Sequence, residues 1–429
     1  MTSVYQCFDP LKVCIVGRSY PPDFYSEIEN VKVRSAMERV AIETEEDYQK
    51  LISKLEEFNV EILRLDVSDN IDDYKDHRGM MTAAPPMCPR DFSAMVGDTF
   101  YMPSENYGEN FDVENLYLGM LNRQTKPNKV QEKREAVLAQ YFEDLLQPGR
   151  PLSQEAALKS FRGKFDVVQC PWTFLQGIDR EELEKVIIAS ETNTIGSNNK
   201  FPSNKRVYAW NSVREWLKKN NVPIVYDQYI SSANCWRLGK DLFFNYVNII
   251  TKLNEESFQK KWRRLFPDYR VHGVDAPGHG DGSMHPVKEG LIIAIGKEKF
   301  YKDFYPDWEV VKVQSGWGQV KPFLKMKEKN RGRWWIKGEE ENQDLIDYID
   351  TWLDHWVTYV EESVFDVNVL PIDEQNCIVN GYNKDVFDAF DRHSITPHVI
   401  NFRHRYFWDG GLHCITSDIH REGNMKTFW

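Results

Sequence analysis

Apolar and polar positions fall along this chain in two recurring phrases. The run KVCIVGR, from Lys12 to Arg18, is almost wholly apolar and is punctuated by Gly17, so it predicts a short buried strand. Downstream, TEEDYQKLISKLEEFNVEILRLD places Tyr48, Leu51, Ile52, Leu55 and Phe58 at helical spacing. Thr44 precedes the acidic first turn of that pattern and is its expected cap. Val60 to Leu65 then alternates as a half-buried strand does. The helix-then-strand phrase returns from Asn211 to Asp227, with Val213, Trp216 and Leu217 on one face. It returns again from Asn383 to Phe402, with Val386, Phe387 and Phe390. Several such units imply the α/β class. Their sequences are too unlike one another to form a sequence repeat, so any pseudo-symmetry must be structural.

Two stretches break the pattern. Residues 104–165 are polar and read as loop, helix, loop. Residues 322–342 alternate basic and acidic runs around Trp334 and Trp335, the mark of a solvated excursion with an aromatic anchor. No flexible linker cuts the chain. The expected organisation is one domain over residues 1–429, with insertions at about 104–165 and 297–362.

Composition narrows the function classes. The 429 residues are 41% hydrophobic and 28% charged, ordinary for a globular chain and not for a disordered one. A net charge of −12 argues against nucleic acid or an anionic membrane as partner and fits small, even cationic, ligands. The seven cysteines are odd in number and never spaced as CxxC, which argues against a disulfide framework or a zinc ribbon and for a reducing cytoplasm. The N-terminus lacks the order of a signal peptide, and no apolar run approaches the roughly 18 residues of a membrane helix. A soluble cytoplasmic protein is expected.

Three clusters carry candidate chemistry. APPMCPRDFSAMVGDTFYMPS sets Arg90 and Asp91 before an alternating strand, where a surface salt bridge is the plain alternative. HGVDAPGHGDGSMHPVKEGLIIAIG gathers His272, His279, Asp281 and His285 in a glycine-rich turn. His279, Asp281 and His285 offer three ligands to a divalent metal, although the turn lacks the helical histidine pair common in catalytic metal sites. WDGGLHCITSDI places His413 and Cys414 after two glycines, where a small buried thiol competes with a nucleophile. Together they suggest more. A cysteine nucleophile needs a base or cation near it. A guanidinium needs carboxylates to receive its planar donors. Cys414, His279, Asp91 and Asp281 supply that inventory.

With those residues in view, the chain resembles the arginine:glycine-type amidinotransferases of the guanidine-modifying superfamily. FDPLKVCIVGR is similar to that family's opening strand, and PRD to its M-P-R-D motif, whose Asp binds guanidinium. FPDYRVHGVDAPGHGDGSM resembles its P-D-Y-R-V-H phrase followed by H-x-D. FDVNVLPIDEQNCIVN is similar to its M-N-V-L-x-x-D strand, and GGLHCITSDIHREG to its terminal motif around the nucleophilic cysteine. The resemblance implies a five-bladed α/β propeller (a pentein) of pseudo-repeated ββαβ units. It also implies ping-pong transfer of an amidino group from arginine to an acceptor amine through Cys414, with His279 as acid and base. Asp91 and Asp281 would hold the guanidinium. No metal or organic cofactor is required; the implied partners are small molecules, and a homodimer is left open.

The chain departs from the family at two points. Ser231, in SSANCWRLGKDLF, stands where the family has the Asp that supports the catalytic histidine, and Asp227 upstream is the alternative source of charge. Where the family has an anchor for the arginine carboxylate, this chain offers only Lys297 or Lys299, point charges rather than forks. A short loop ending in Gly278 would suit an acceptor larger than glycine. The alternative functions are a guanidine hydrolase of the arginine deiminase kind and a binding relative without turnover.

Overall fold

The computed structural model describes residues 2–67, 85–102, 210–226, 230–245, 262–274, 279–295, 298–313, 334–349, 353, 357 and 365–428. The expected insertion at 104–165 lies outside them, as do residues 314–333 of the second.

Among the described residues, fifteen strands form five three-stranded sheets. The first joins the two ends of the chain. β1 (Leu11–Val16) pairs antiparallel with β15 (Thr416–Arg421) and parallel with β2 (Glu61–Arg64), after the helix α1 (Val31–Glu57). In the second, β3 (Ala94–Val96) runs antiparallel to β4 (Thr99–Met102), and β4 parallel to β5 (Ile224–Tyr226), which follows α2 (Asn211–Lys219). The third has β6 (Cys235–Leu238), β7 (Asp241–Asn245) and β8 (Arg270–Val274). The fourth has β9 (Met284–Lys288), β10 (Leu291–Ala294) and β11 (Glu309–Lys312), with α3 (Glu298–Phe304) before the last. After α4 (Gln343–Tyr348), the fifth sheet has β12 (Leu370–Asp373), β13 (Asn376–Val379) and β14 (Thr396–Val399), with α5 (Lys384–Arg392) before β14. In every sheet the central strand is antiparallel to one neighbour and parallel to the other. The five sheets thus share one pairing pattern among the described residues.

The helix–strand phrases fall where the apolar pattern puts them, with one correction. Thr44 does not cap a helix: α1 begins thirteen residues earlier, where the Asn30 side chain accepts from the amides of Lys32 and Val33 at 3.0 and 3.4 Å. Thr44 is buried within α1, and its hydroxyl accepts from Trp408 Nε1 at 2.9 Å. A threonine ahead of acidic residues is a weak start signal when apolar contacts continue upstream, as Val33, Met37 and Val40 do here. The segment from residue 297, read as an insertion, contains α3 and the edge strand β11.

Candidate active site

The terminal motif leads into β15 through a tight turn. A short helix, α6 (Arg405–Trp408), ends at Asp409 in the left-handed region (φ 50°). The turn is then held by Ile415 N to Gly411 O at 3.1 Å, and by the Thr416 hydroxyl donating to the Leu412 and His413 carbonyls at 2.9 and 3.0 Å. Cys414 is 1% exposed. Asn368, from the segment before β12, clasps the turn. Its Oδ1 accepts from the amides of His413 (2.9 Å) and Cys414 (3.3 Å), and its Nδ2 donates to Cys414 Sγ at 3.0 Å.

The glycines serve that clasp. A Cβ on Gly411 would stand 2.5 Å from Asn368 Oδ1 and 2.9 Å from Phe365 Cδ1. Gly411→Ala is thus expected to push Asn368 off the turn and lower stability by about 1–3 kcal/mol. Gly381→Ala, where an added Cβ meets nothing within 4 Å, is the control. Urea unfolding midpoints compare the two.

The H-x-D motif arrives by another route. His279 is extended and leads into a 3-10 turn over Gly280–Gly282. A Cβ on Gly280 would meet the Trp236 ring at 2.5 Å, so the turn lies directly on β6. Asp281 N donates to Ala233 O at 3.2 Å, and Ala233 N to Arg90 O, also at 3.2 Å. These two bonds join the segments carrying Ser231, Asp281 and the PRD turn. Asp281 is fully buried, and its Oδ2 lies 3.5 Å from Cys414 Sγ and 3.4 Å from Asn368 Nδ2. Asp281 Oδ1 is buried and has no hydrogen-bond partner among the described residues. His279 Nδ1 lies 3.6 Å from Asp91 Oδ1, both side chains being partly exposed, at 35% and 22%.

Below the cysteine lies a charge cluster. Asp418 of β15 receives Arg90 at 3.2 Å, Arg237 at 2.9 and 3.1 Å, and Arg421 at 2.7 Å, all essentially buried. The guanidinium groups hold its carboxyl well below the usual range, overcoming burial. Burial pushes Asp281 the other way, opposed by the nearby His279 and Arg90 and by the Cys414 thiol. His413 and His285 are both depressed, first by burial and then by Arg90. Their rings meet edge to face, with centroids 4.3 Å apart.

The site thus brings Cys414 and Asp281 together and sets His279 beside Asp91. Ser231 is buried two residues from Ala233, and its carbonyl accepts from Asn234 N at 3.2 Å. Asp227, Gly278 and Lys297 lie outside the described residues, as does the side chain of Lys299 in α3. Arg90 is not a surface ion-pair partner of Asp91: it is buried, and its Nε donates to the carbonyls of His413 and Thr416 at 2.8 and 2.9 Å. His413 adjoins the site as well: its Nδ1 lies 2.8 Å from Asp281 Oδ2. Asn368 was not singled out from the sequence. Its signal was a lone amide inside the apolar run Val367–Leu370. Among the described residues, no group of three His, Cys, Asp or Glu is placed to hold a metal ion. No described helix is long and apolar enough to cross a membrane.

A thiol beside an amide donor, with a buried carboxylate oxygen left open, can bind a planar cation and attack its central carbon. Known proteins are similar to parts of this chain. No protein-family model matches the chain. The mitochondrial glycine amidinotransferase of Xenopus tropicalis is 24% identical over 208 residues, 48% of this chain and 41% of its own. The L-arginine:L-lysine amidinotransferase of Pseudomonas savastanoi pv. phaseolicola is 20% identical over 274 residues, 61% of this chain and 65% of its own. The chain thus spans less than half the length of the Xenopus protein. Among solved structures, an amidinotransferase of Microseira wollei from the saxitoxin pathway has a TM-score of 0.51 at 15% identity, covering 100% of this chain and 99% of its own. That likeness shows a shared α/β fold. By sequence the chain is similar to these two amidinotransferases, and by fold to the Microseira wollei protein.

Proposed function

We propose that this chain is an amidinotransferase that moves the amidino group of arginine, or a related guanidine, to an acceptor amine. The observation that carries the reading is Cys414 Sγ lying 3.5 Å from Asp281 and 3.0 Å from the Asn368 amide. The guanidinium sits flat between Asp91 and Asp281, which polarise its carbon. Cys414 attacks that carbon, the bond to the ornithine nitrogen breaks, and His279 gives that nitrogen its proton. An amidino group remains on sulfur. An acceptor amine, giving a proton to His279, attacks the same carbon and frees the thiolate. Asn368, donating to sulfur, favours the thiolate at both ends of the cycle.

The common pairing pattern of the five sheets supports a five-bladed propeller of one domain over residues 1–429. The charge and the cysteine usage support a cytoplasmic protein acting on small molecules, without nucleic acid or membrane partners. A homodimer is compatible with all of this. The acceptor is taken to be larger than glycine, and Lys297 or Lys299 to meet the donor's carboxylate.

Product analysis with labelled arginine tests the reading. Ornithine released in step with an added amine supports transfer. Citrulline without added amine would move the assignment to a hydrolase, and no product at any pH would favour a binding protein. The weak point of the site is Ser231, whose hydroxyl is able to accept a hydrogen bond but brings no charge to an imidazolium. Ser231→Asp is expected to raise kcat, by up to about a hundredfold if the charge is otherwise missing. If Asp227 supplies it, Asp227→Asn costs far more than Ser231→Ala, and equal effects reject that role.

A further inference from the structure

Asp281 is a carboxylate whose two oxygens have different fates. Oδ2 faces three donors: the His413 ring at 2.8 Å, the Asn368 amide at 3.4 Å and the Cys414 thiol at 3.5 Å. Oδ1 is equally buried and faces none among the described residues. The His413 contact is the shortest, and its ring has little freedom. The amide of His413 is pinned by Asn368 Oδ1 at 2.9 Å, its carbonyl by Arg90 Nε at 2.8 Å, and its ring is walled by His285. His285 is itself wholly buried, and neither ring nitrogen has a hydrogen-bond partner among the described residues, so the ring acts here through packing.

We propose that His413 is a positioning residue: its Nδ1–H fixes Asp281 Oδ2, which turns Oδ1 toward the space where a guanidinium nitrogen must donate. This rests on the amidinotransferase reading of the site. Burial and the neighbouring Arg90 keep the His413 imidazole neutral. A neutral ring gives Asp281 one oriented hydrogen bond and leaves the carboxylate charge for the substrate. An imidazolium there would spend that charge on an internal ion pair. The tautomer follows from the acceptor: facing a carboxylate, Nδ1 carries the proton.

Two variants separate positioning from packing. His413→Leu keeps bulk and removes the donor; His413→Asn keeps an N–H donor close to the position of Nδ1. His413→Leu is expected to raise the KM for arginine at least about tenfold with kcat little changed, as for a lost hydrogen bond to a charged group. His413→Asn is expected to return within about threefold of the wild type. The groups facing Asp281 are His279, Arg90, Cys414, Asn368 and His413. Removing only the last withdraws a donor from the charged form, so the Asp281 pKa rises and the acid limb of kcat/KM moves to higher pH. Asparagine restores the limb. An unchanged KM and acid limb in His413→Leu, or an asparagine variant no better than the leucine one, overturns the proposal.

Calorimetric binding of arginine in the Cys414→Ala background repeats the comparison without turnover. A wild type that forms no adduct while His413→Leu still weakens binding tenfold defeats the transferase reading and upholds the positioning role. Normal transfer with unaltered arginine affinity in His413→Leu does the reverse. Arginine failing to bind at all overturns both.

Discussion

Cys414→Ala is expected to abolish the proposed amidino transfer, with a loss in kcat of at least about 10⁴-fold and no covalent intermediate. Removal of a nucleophile leaves only binding and electrostatic effects, and losses of that size follow elsewhere. The fold has no reason to suffer. Cys414 is 1% exposed, but the turn around it is held by backbone bonds and by the Asn368 clasp, whose Oδ1 bonds survive the substitution. The variant is therefore expected to unfold at nearly the wild-type urea concentration and still to bind arginine. Steady-state rates with arginine and an amine, beside an unfolding curve, check both halves. Retained turnover sinks the mechanism; collapse of the fold assigns Cys414 a packing role instead.

Asp418→Asn carries the largest expected effect on stability. Three buried guanidinium groups, of Arg90, Arg237 and Arg421, share this one carboxylate, and carbonyls of Met95, Asp9, Pro371, His413 and Thr416 take one further nitrogen of each. An amide keeps the shape but removes the counter-charge, leaving uncompensated positive charge where water cannot reach. Breaking a buried pair from one side costs about 3–5 kcal/mol. The sign of the pH dependence follows from the depressed Asp418 pKa. Its contribution is fully present above the unfolded value, near about 4, and is lost as pH falls from there through the folded value. The gap between wild type and Asp418→Asn should be full at neutral pH and narrow below about pH 4. Urea unfolding at pH 7 and at pH 3.5 measures it. A gap under about 1 kcal/mol at pH 7 would show that the arginines are neutralised by other means.

What the sequence disclosed and what it hid divide along physical lines. The amphipathic faces of α2 and α5 were legible because burial follows apolar spacing: Val213 and Leu217, then Val386 and Phe390, are buried as their positions require. Cys414 and Asp281 were legible as residue types in glycine-bounded motifs. Asn368, His413 and Arg90 were not, because each acts through a partner 45 to 323 residues away along the chain. No local period marks such contacts. The Arg90–Asp91 pair shows the difference within one motif: Asp91 faces His279, while Arg90 runs inward to Asp418. Gly411 lets Asn368 approach the turn closely, a demand that its neighbours in sequence do not announce.

The central claim is that an amidino group rests on Cys414 between two half-reactions. Wild-type protein incubated with arginine labelled in the guanidino carbon, without an amine, then acid-quenched and digested, tests it directly. The account predicts label on the peptide carrying Cys414, discharged to product when an amine is added before the quench. Label on another cysteine, or product formed from arginine and amine with Cys414 never labelled, would contradict it.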